Sequence, residues 1–173
     1  IPVRYLLVEL FVSGMFAAQG ITLALFARER TGRGQAVDVA MLDSVAALLT
    51  YQAGIYFATG AAPTRLGNRH PTIVPYETFA TSDGAIAIAV GSERQWPRLC
   101  GALGVPGLAT DPRFVTNGDR VERRAELRPI LAARFAERTA ASWLTALDAA
   151  EIPCGPINDI VAAFASPEAA ALG

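Results

Sequence analysis

The 173 residues are 52% hydrophobic and 18% charged, with a formal net charge of −1. A chain this apolar buries enough surface to offset its ordering entropy, which excludes disorder, and it has no basic excess with which to neutralise nucleic-acid phosphates. Cys100 and Cys154 are too few for a disulfide scaffold and read as reduced thiols of a cytoplasmic protein.

The chain opens at Ile1 into an apolar run without a charged n-region or a cleavage site, which argues against a signal peptide. The 18 uncharged residues from Leu10 to Ala27 reach the lower limit for a membrane span. Ser13, Gln19 and Thr22 interrupt that run and Glu9 borders it, which favours a buried helix of a soluble protein over a span. The helix is predicted from about Val8 to Arg30, stopped by Gly32, with Arg28 and Arg30 complementing the negative end of its dipole. Gln35 to Val39 alternates like a short strand, and Met41 to Phe57 reads as a second helix. Two neighbouring apolar helices call for a large partner surface, which leads us to expect that an N-terminal part of the protein precedes this chain.

Gly60 to Pro75 is a loop rich in Gly, Pro and Asn. Tyr76 to Thr81 and Ala85 to Val90 are strand patterns about Ser82-Asp83-Gly84, a hairpin signal in which Asp83 is a turn residue rather than a base. Ser92 is predicted to cap a helix through Leu103, stopped at Gly104. Asp111-Pro112-Arg113 is a turn. Asp119 to Arg138 is helical in pattern, with Pro129 imposing a kink or a division. Thr139 caps a helix to about Glu151 that buries Trp143, Leu144 and Leu147; Ile152 to Ile157 connects into a strand, and Asn158 caps a last helix. The pattern is a helix-rich α/β fold.

Few residues carry chemistry. All 15 basic residues are arginine, so neither a Schiff-base lysine nor a P-loop lysine is present. His70 is the only histidine, and no metal site is expected. Arg69 and His70, in a permissive Gly67-Asn68 turn, either present donors to an anion or a thioester carbonyl, or are surface residues of a loop held by turn chemistry. Glu93 sits where a helix dipole accepts a carboxylate whatever its role, and Met41 at a helix start is equally a core methionine. Glu9 is either a desolvated carboxylate able to act as nucleophile or base, or an exposed residue at a helix start.

Several phrases, in order along nearly the whole chain, resemble the class III CoA-transferase family, which includes formyl-CoA and carnitine CoA-transferases and α-methylacyl-CoA racemases. They are Arg28 to Val39 (RERTGRGQAVDV), Arg65 to Pro71 (RLGNRHP), Ser82-Asp83-Gly84, Gln95-Trp96, Asp111 to Phe114 (DPRF) and Ile152 to Ile157 (IPCGPI). The resemblance implies part of a large CoA-binding α/β domain over residues 1–58, a small mixed α+β domain over 59–150, and a return segment over 151–173. It also implies an interlocked homodimer, acyl-CoA and a carboxylic acid acceptor as substrates, no permanently bound cofactor, and neither membrane nor nucleic acid as partner.

In the family's transferases an Asp attacks the acyl-CoA thioester, and a covalent acyl-enzyme divides one hard transfer into easier steps. The matching position here is Leu10; Glu9 is one residue away, a rotation of about 100° on a helix. Met41 matches a methionine beside CoA. Near His70 to Tyr76, where transferases carry a glycine-run lid, this chain has Arg69-His70-Pro71, with Arg69 and His70 expected to line the acyl-CoA pocket and Asn68 to support the turn. Glu93 lies near a glutamate of the racemase site. Glu9 is thus the candidate nucleophile, and Met41, Asn68, Arg69, His70 and Glu93 are the candidate CoA-site residues. The chain by itself is expected to transfer no CoA. The alternatives are an acyl-CoA racemase on the same scaffold and a non-catalytic homologue.

Overall fold

A computed structural model describes residues 3–172, with side chains from Leu7 onward; Ile1, Pro2 and Gly173 lie outside the described residues. The chain forms two compact units, Ile1–Arg65 and Leu66–Gly173. Residues 154–156, within the expected return segment, contribute a strand to the second unit's sheet.

The first unit is built on α1 (Val3–Thr31). Its run of Ala, Leu and Phe contains no proline, and it ends where Gly32 (φ 69°) donates to the Arg28 carbonyl at 2.8 Å. The Arg33–Ala40 segment lacks regular structure, so the strand expected at Gln35 to Val39 does not form. It lies instead against α1 at Gly20, where an added Cβ would stand 2.8 Å from Val37 Cγ1, and among the described residues it pairs with no strand. The expected Met41 to Phe57 helix is divided into α2 (Met41–Ala46), a 3-10 turn (Ala47–Leu49) and α3 (Thr50–Thr59). The break is at Thr50, whose φ of 42° is foreign to a β-branched residue in a continuous helix.

Within this chain α1 is largely uncovered. Phe11 is 71% and Leu23 67% exposed. Apolar residues occupy its whole circumference, and the 33–47 segment covers only one strip. By length and composition α1 from Leu7 is long and apolar enough to cross a membrane.

In the second unit, β1 (Tyr76–Ala80) and β2 (Ala85–Ala89) form the hairpin, with Phe79 opposite Ile86. β3 (Cys154–Pro156) adds to β2 antiparallel, Ile88 opposite Cys154, giving the order β1-β2-β3. Alternation sends Phe79, Ile86 and Ile88 to one face. Against that face pack α4 (Gln95–Ala102), α6 (Arg124–Phe135) and α7 (Ala140–Ala149), which supply Trp96, Leu99, Leu127, Leu131, Phe135, Trp143 and Leu147 to the same core. Phe135 stacks on Phe79 at 4.7 Å and meets Trp143 edge-on at 5.3 Å, and Trp143 Nε1 donates to the Phe135 carbonyl.

Three boundaries differ in detail from the sequence expectation. Ser92 does not cap α4; the Gln95 side chain accepts from the Gly91 and Ser92 amides and holds that turn. The long helical stretch divides at Arg123, not at Pro129, which lies within α6. Its first part, α5 (Asn117–Glu122), starts at a capping box in which Thr116 and Asp119 satisfy each other's amides. Asp159, not Asn158, caps α8 (Ile160–Phe164), and α9 (Pro167–Leu172) follows. Thr139 caps α7 as expected, accepting from Ser142 N.

Candidate functional site

The loop before β1 enters through Gly67 (φ 63°), a left-handed position that favours glycine. Arg69 closes this turn itself, donating from its amide and from Nε (2.9 Å) to the Leu66 carbonyl, a role sequence reasoning gave to Asn68. His70 is half-buried, its ring stacked on Tyr76 at 5.1 Å. The Thr72 amide donates to His70 Nδ1, so the neutral ring carries its proton on Nε2. Arg124 fixes the loop from behind, donating to the carbonyls of His70 (2.7 Å) and Pro71 (3.3 Å). Burial lowers the Arg124 pKa; Glu77 opposes that shift and the like charge of Arg69 adds to it.

Asn68 and Arg69 line a cleft of about 430 Å³ together with Glu77, Thr78 and Arg128. Glu77, its side chain 4% exposed, accepts from Arg128 Nε at 2.6 Å. Beyond that cleft, Glu93 closes a separate clasp. Its Oε1 accepts from the Asn117 amide at 2.6 Å and its Oε2 from Arg120 at 2.9 Å. Arg120, 1% exposed, also donates to the carbonyls of Val74, Phe114 and Val115 and lies over the Trp96 ring. Asn117 completes the clasp, accepting from Val74 N and donating to Thr72 O. Partial burial acts to raise the Glu93 pKa, but the Asn117 amide and Arg120 outweigh it and the net shift is downward. This arrangement supports a structural carboxylate that holds the loop against α5.

In the first unit, a groove of about 390 Å³ runs between α1 and the following segment, lined by residues that include Phe16, Val37, Asp38, Asp43 and Ser44. Met41 opens α2 outside that lining, 40% exposed. Glu9 is half-buried on α1, and Leu10 beside it is 53% exposed. Among the described residues no cluster of potential metal ligands occurs.

Sequence reasoning brought Asn68, Arg69 and His70 together correctly as one loop but missed the arginines that build its surroundings. Arg120, Arg124 and Arg128 recur every four residues in the sequence; Arg124 and Arg128 share one face of α6, while Arg120 lies on α5 before the break at Arg123. That periodicity was the available signal.

The chain matches the family model of CoA-transferase family III over residues 3–173. It belongs to that family. It is 41% identical over 158 residues to an acetyl-CoA:oxalate CoA-transferase of Acetobacter aceti, covering 91% of this chain and 41% of that protein. It is 40% identical to a succinate–glutarate CoA-transferase of Agrobacterium fabrum, covering 93% of this chain and 40% of the relative. A crystal structure of a CaiB/BaiF family protein from Brucella suis superposes with a TM-score of 0.78 at 40% identity, over 94% of this chain and 43% of that one. The chain thus spans about two fifths of the length of these class III CoA-transferase relatives.

Proposed function

We propose that this protein acts in the transfer of CoA between an acyl-CoA and a carboxylic acid, with CoA thioesters as substrates rather than a resident cofactor. The match to the family model over residues 3–173 carries the reading. The two relatives named above act by name on oxalate and on succinate and glutarate, which supports a dicarboxylic acid on at least one side of the exchange here. We place the protein in the cytoplasm as a homodimer, with protein rather than lipid covering the apolar face of α1. Light scattering tests this: a dimer or larger species is expected, and a clean, stable monomer contradicts it.

Nucleophilic attack on the thioester needs a carboxylate in a dry pocket. Leu10, at the matching position, can neither attack a thioester nor carry an acyl group. Glu9 points about 100° away on a regular helix, and a misplacement of ~1 Å can cost about a hundredfold in rate. The 173-residue chain by itself is therefore expected to bind CoA weakly and form no covalent adduct. Titration with CoA, then mass spectrometry after incubation with succinyl-CoA with and without hydroxylamine, decides. An adduct on Glu9 makes it the nucleophile, and an adduct elsewhere refutes the mechanism. A complete protein that exchanges no CoA between succinyl-CoA and a carboxylic acid removes the CoA-transfer reading.

A further inference from the structure

The cleft lined by Asn68, Arg69, Glu77, Thr78 and Arg128, about 430 Å³ in volume, lies within the size range of small-molecule sites. Two guanidinium groups face one carboxylate there, and that carboxylate is already engaged: Glu77 Oε2 accepts from Arg128 Nε. Both arginines are anchored through their inner nitrogen, Arg128 on Glu77 and Arg69 on the Leu66 carbonyl. The terminal nitrogens NH1 and NH2 of each make no protein hydrogen bond among the described residues. An arginine held at Nε with its terminal nitrogens available is a pre-oriented fork for a planar oxyanion. The Asn68 amide and the Thr78 hydroxyl add neutral polar groups to the same lining. Arg124 reinforces the positive potential, since the charge of Arg69 reaches it.

We propose that this cleft holds the free carboxylate of a dicarboxylic acyl substrate. The assignment rests on the CoA-transfer reading above, in which one carboxylate of the acid becomes the thioester while the second stays ionised throughout. A pair of fixed guanidinium groups suits the group that keeps its charge, because a reacting carboxylate would have to leave that field as it became an ester. Arg69 and Arg128 are then specificity-determining residues that separate dicarboxylic from monocarboxylic acids of equal length.

The test is calorimetric titration of the 173-residue chain with glutarate, with valerate as the monocarboxylate of equal length, and with CoA and dephospho-CoA. Glutarate is expected to bind measurably and valerate more weakly. Arg69→Gln and Arg128→Gln are each expected to weaken glutarate by about tenfold or more, the loss of a charge-assisted hydrogen bond. Arg134→Gln, on the same helix outside the cleft, is expected to leave glutarate binding unchanged. Arg69→Gln breaks no ion pair, so it keeps the test decisive if Arg128→Gln fails to fold. Undiminished glutarate binding in a folded Arg69→Gln variant overturns the proposal, as does a folded parent chain that ignores glutarate. If the variants lose affinity for CoA but not for dephospho-CoA, the cleft takes a phosphate and the carboxylate assignment falls. Failure of the CoA-transfer reading shows separately, as glutarate binding by this chain while the complete protein exchanges no CoA between succinyl-CoA and glutarate.

Discussion

Leu10, Phe11, Leu23 and Phe26 in the first unit are all more than half exposed, whereas Phe79, Ile86, Leu127 and Phe135 in the second are at or below 1%. Both units are rich in the same apolar residue types, so composition does not separate them. In the second unit, strands alternate and helices carry stripes, and the two periodicities meet on one face to close a core. In the first, α1 is apolar on every side and the rest of the unit covers one strip of it. An apolar sequence secures a helix locally; a core requires that its apolar surface be aimed at another surface of the same unit.

The chain's two tryptophans, Trp96 and Trp143, are both buried in the second unit, so their fluorescence reports that unit alone. The largest contrast is expected from truncating one phenylalanine in each unit. Phe135→Ala should cost the tryptophan-monitored transition about 3–5 kcal/mol, while Phe57→Ala, 81% exposed in the first unit, should stay within about 0.5 kcal/mol. Similar losses in urea melts would break the comparison. Arg120→Met comes next. It strands Glu93 and three carbonyls and should cost about 3 kcal/mol, because removing one partner is worse than never having had the pair. A loss under about 1 kcal/mol would show that the clasp is dispensable.

A smaller effect is expected at Gly20 in the first unit. Alanine gains about 1 kcal/mol in helix propensity but collides with Val37 Cγ1. Helix content by circular dichroism should hold while amide exchange accelerates at Ser44, whose amide donates to the Ala40 carbonyl at 3.0 Å. The double variant with Val37→Ala should restore protection, and unchanged exchange in Gly20→Ala would refute the contact.

The smallest effect is acid sensitivity. The folded pKa of Glu93 lies below its ordinary value of 4.5. Its contribution is therefore fully present above about pH 4.5 and is lost as pH falls through the lower folded value. Glu93→Gln should flatten that part of the tryptophan-monitored stability curve. An identical acid slope in the variant would detach Glu93 from the effect.

What was legible in the sequence was local. Asp83-Gly84 announced the hairpin, and Thr139 announced the start of α7, because each acts on amides within a few positions. Asp83 also shows where local reading stops: its carboxylate closes the turn with Thr81 and in addition accepts from the Ala140 amide, which lowers its pKa. The Glu93–Arg120 clasp and the Glu77–Arg128 pair join residues 27 and 51 positions apart, and no spacing rule points from one partner to the other. The Gln35 to Val39 pattern misled for the complementary reason: alternation states what a strand would expose, not whether a neighbour exists to pair with it. The loop of Asn68 to His70 was legible as a unit through its resemblance to the family, but the cleft beside it depends on Arg128, which arrives from α6.

The position of β3 bears on synthesis. β2 is an internal strand of the finished sheet, yet the partner of Ile86 is Pro156, far later in the chain. While a ribosome is making the intervening helices, β2 presents an open hydrogen-bonding edge, the kind of edge that recruits other chains. The closing contact is non-local, and such contacts are slow to form. Chains released before Cys154 should therefore be aggregation-prone even though the hairpin and much of the helical layer have already been made.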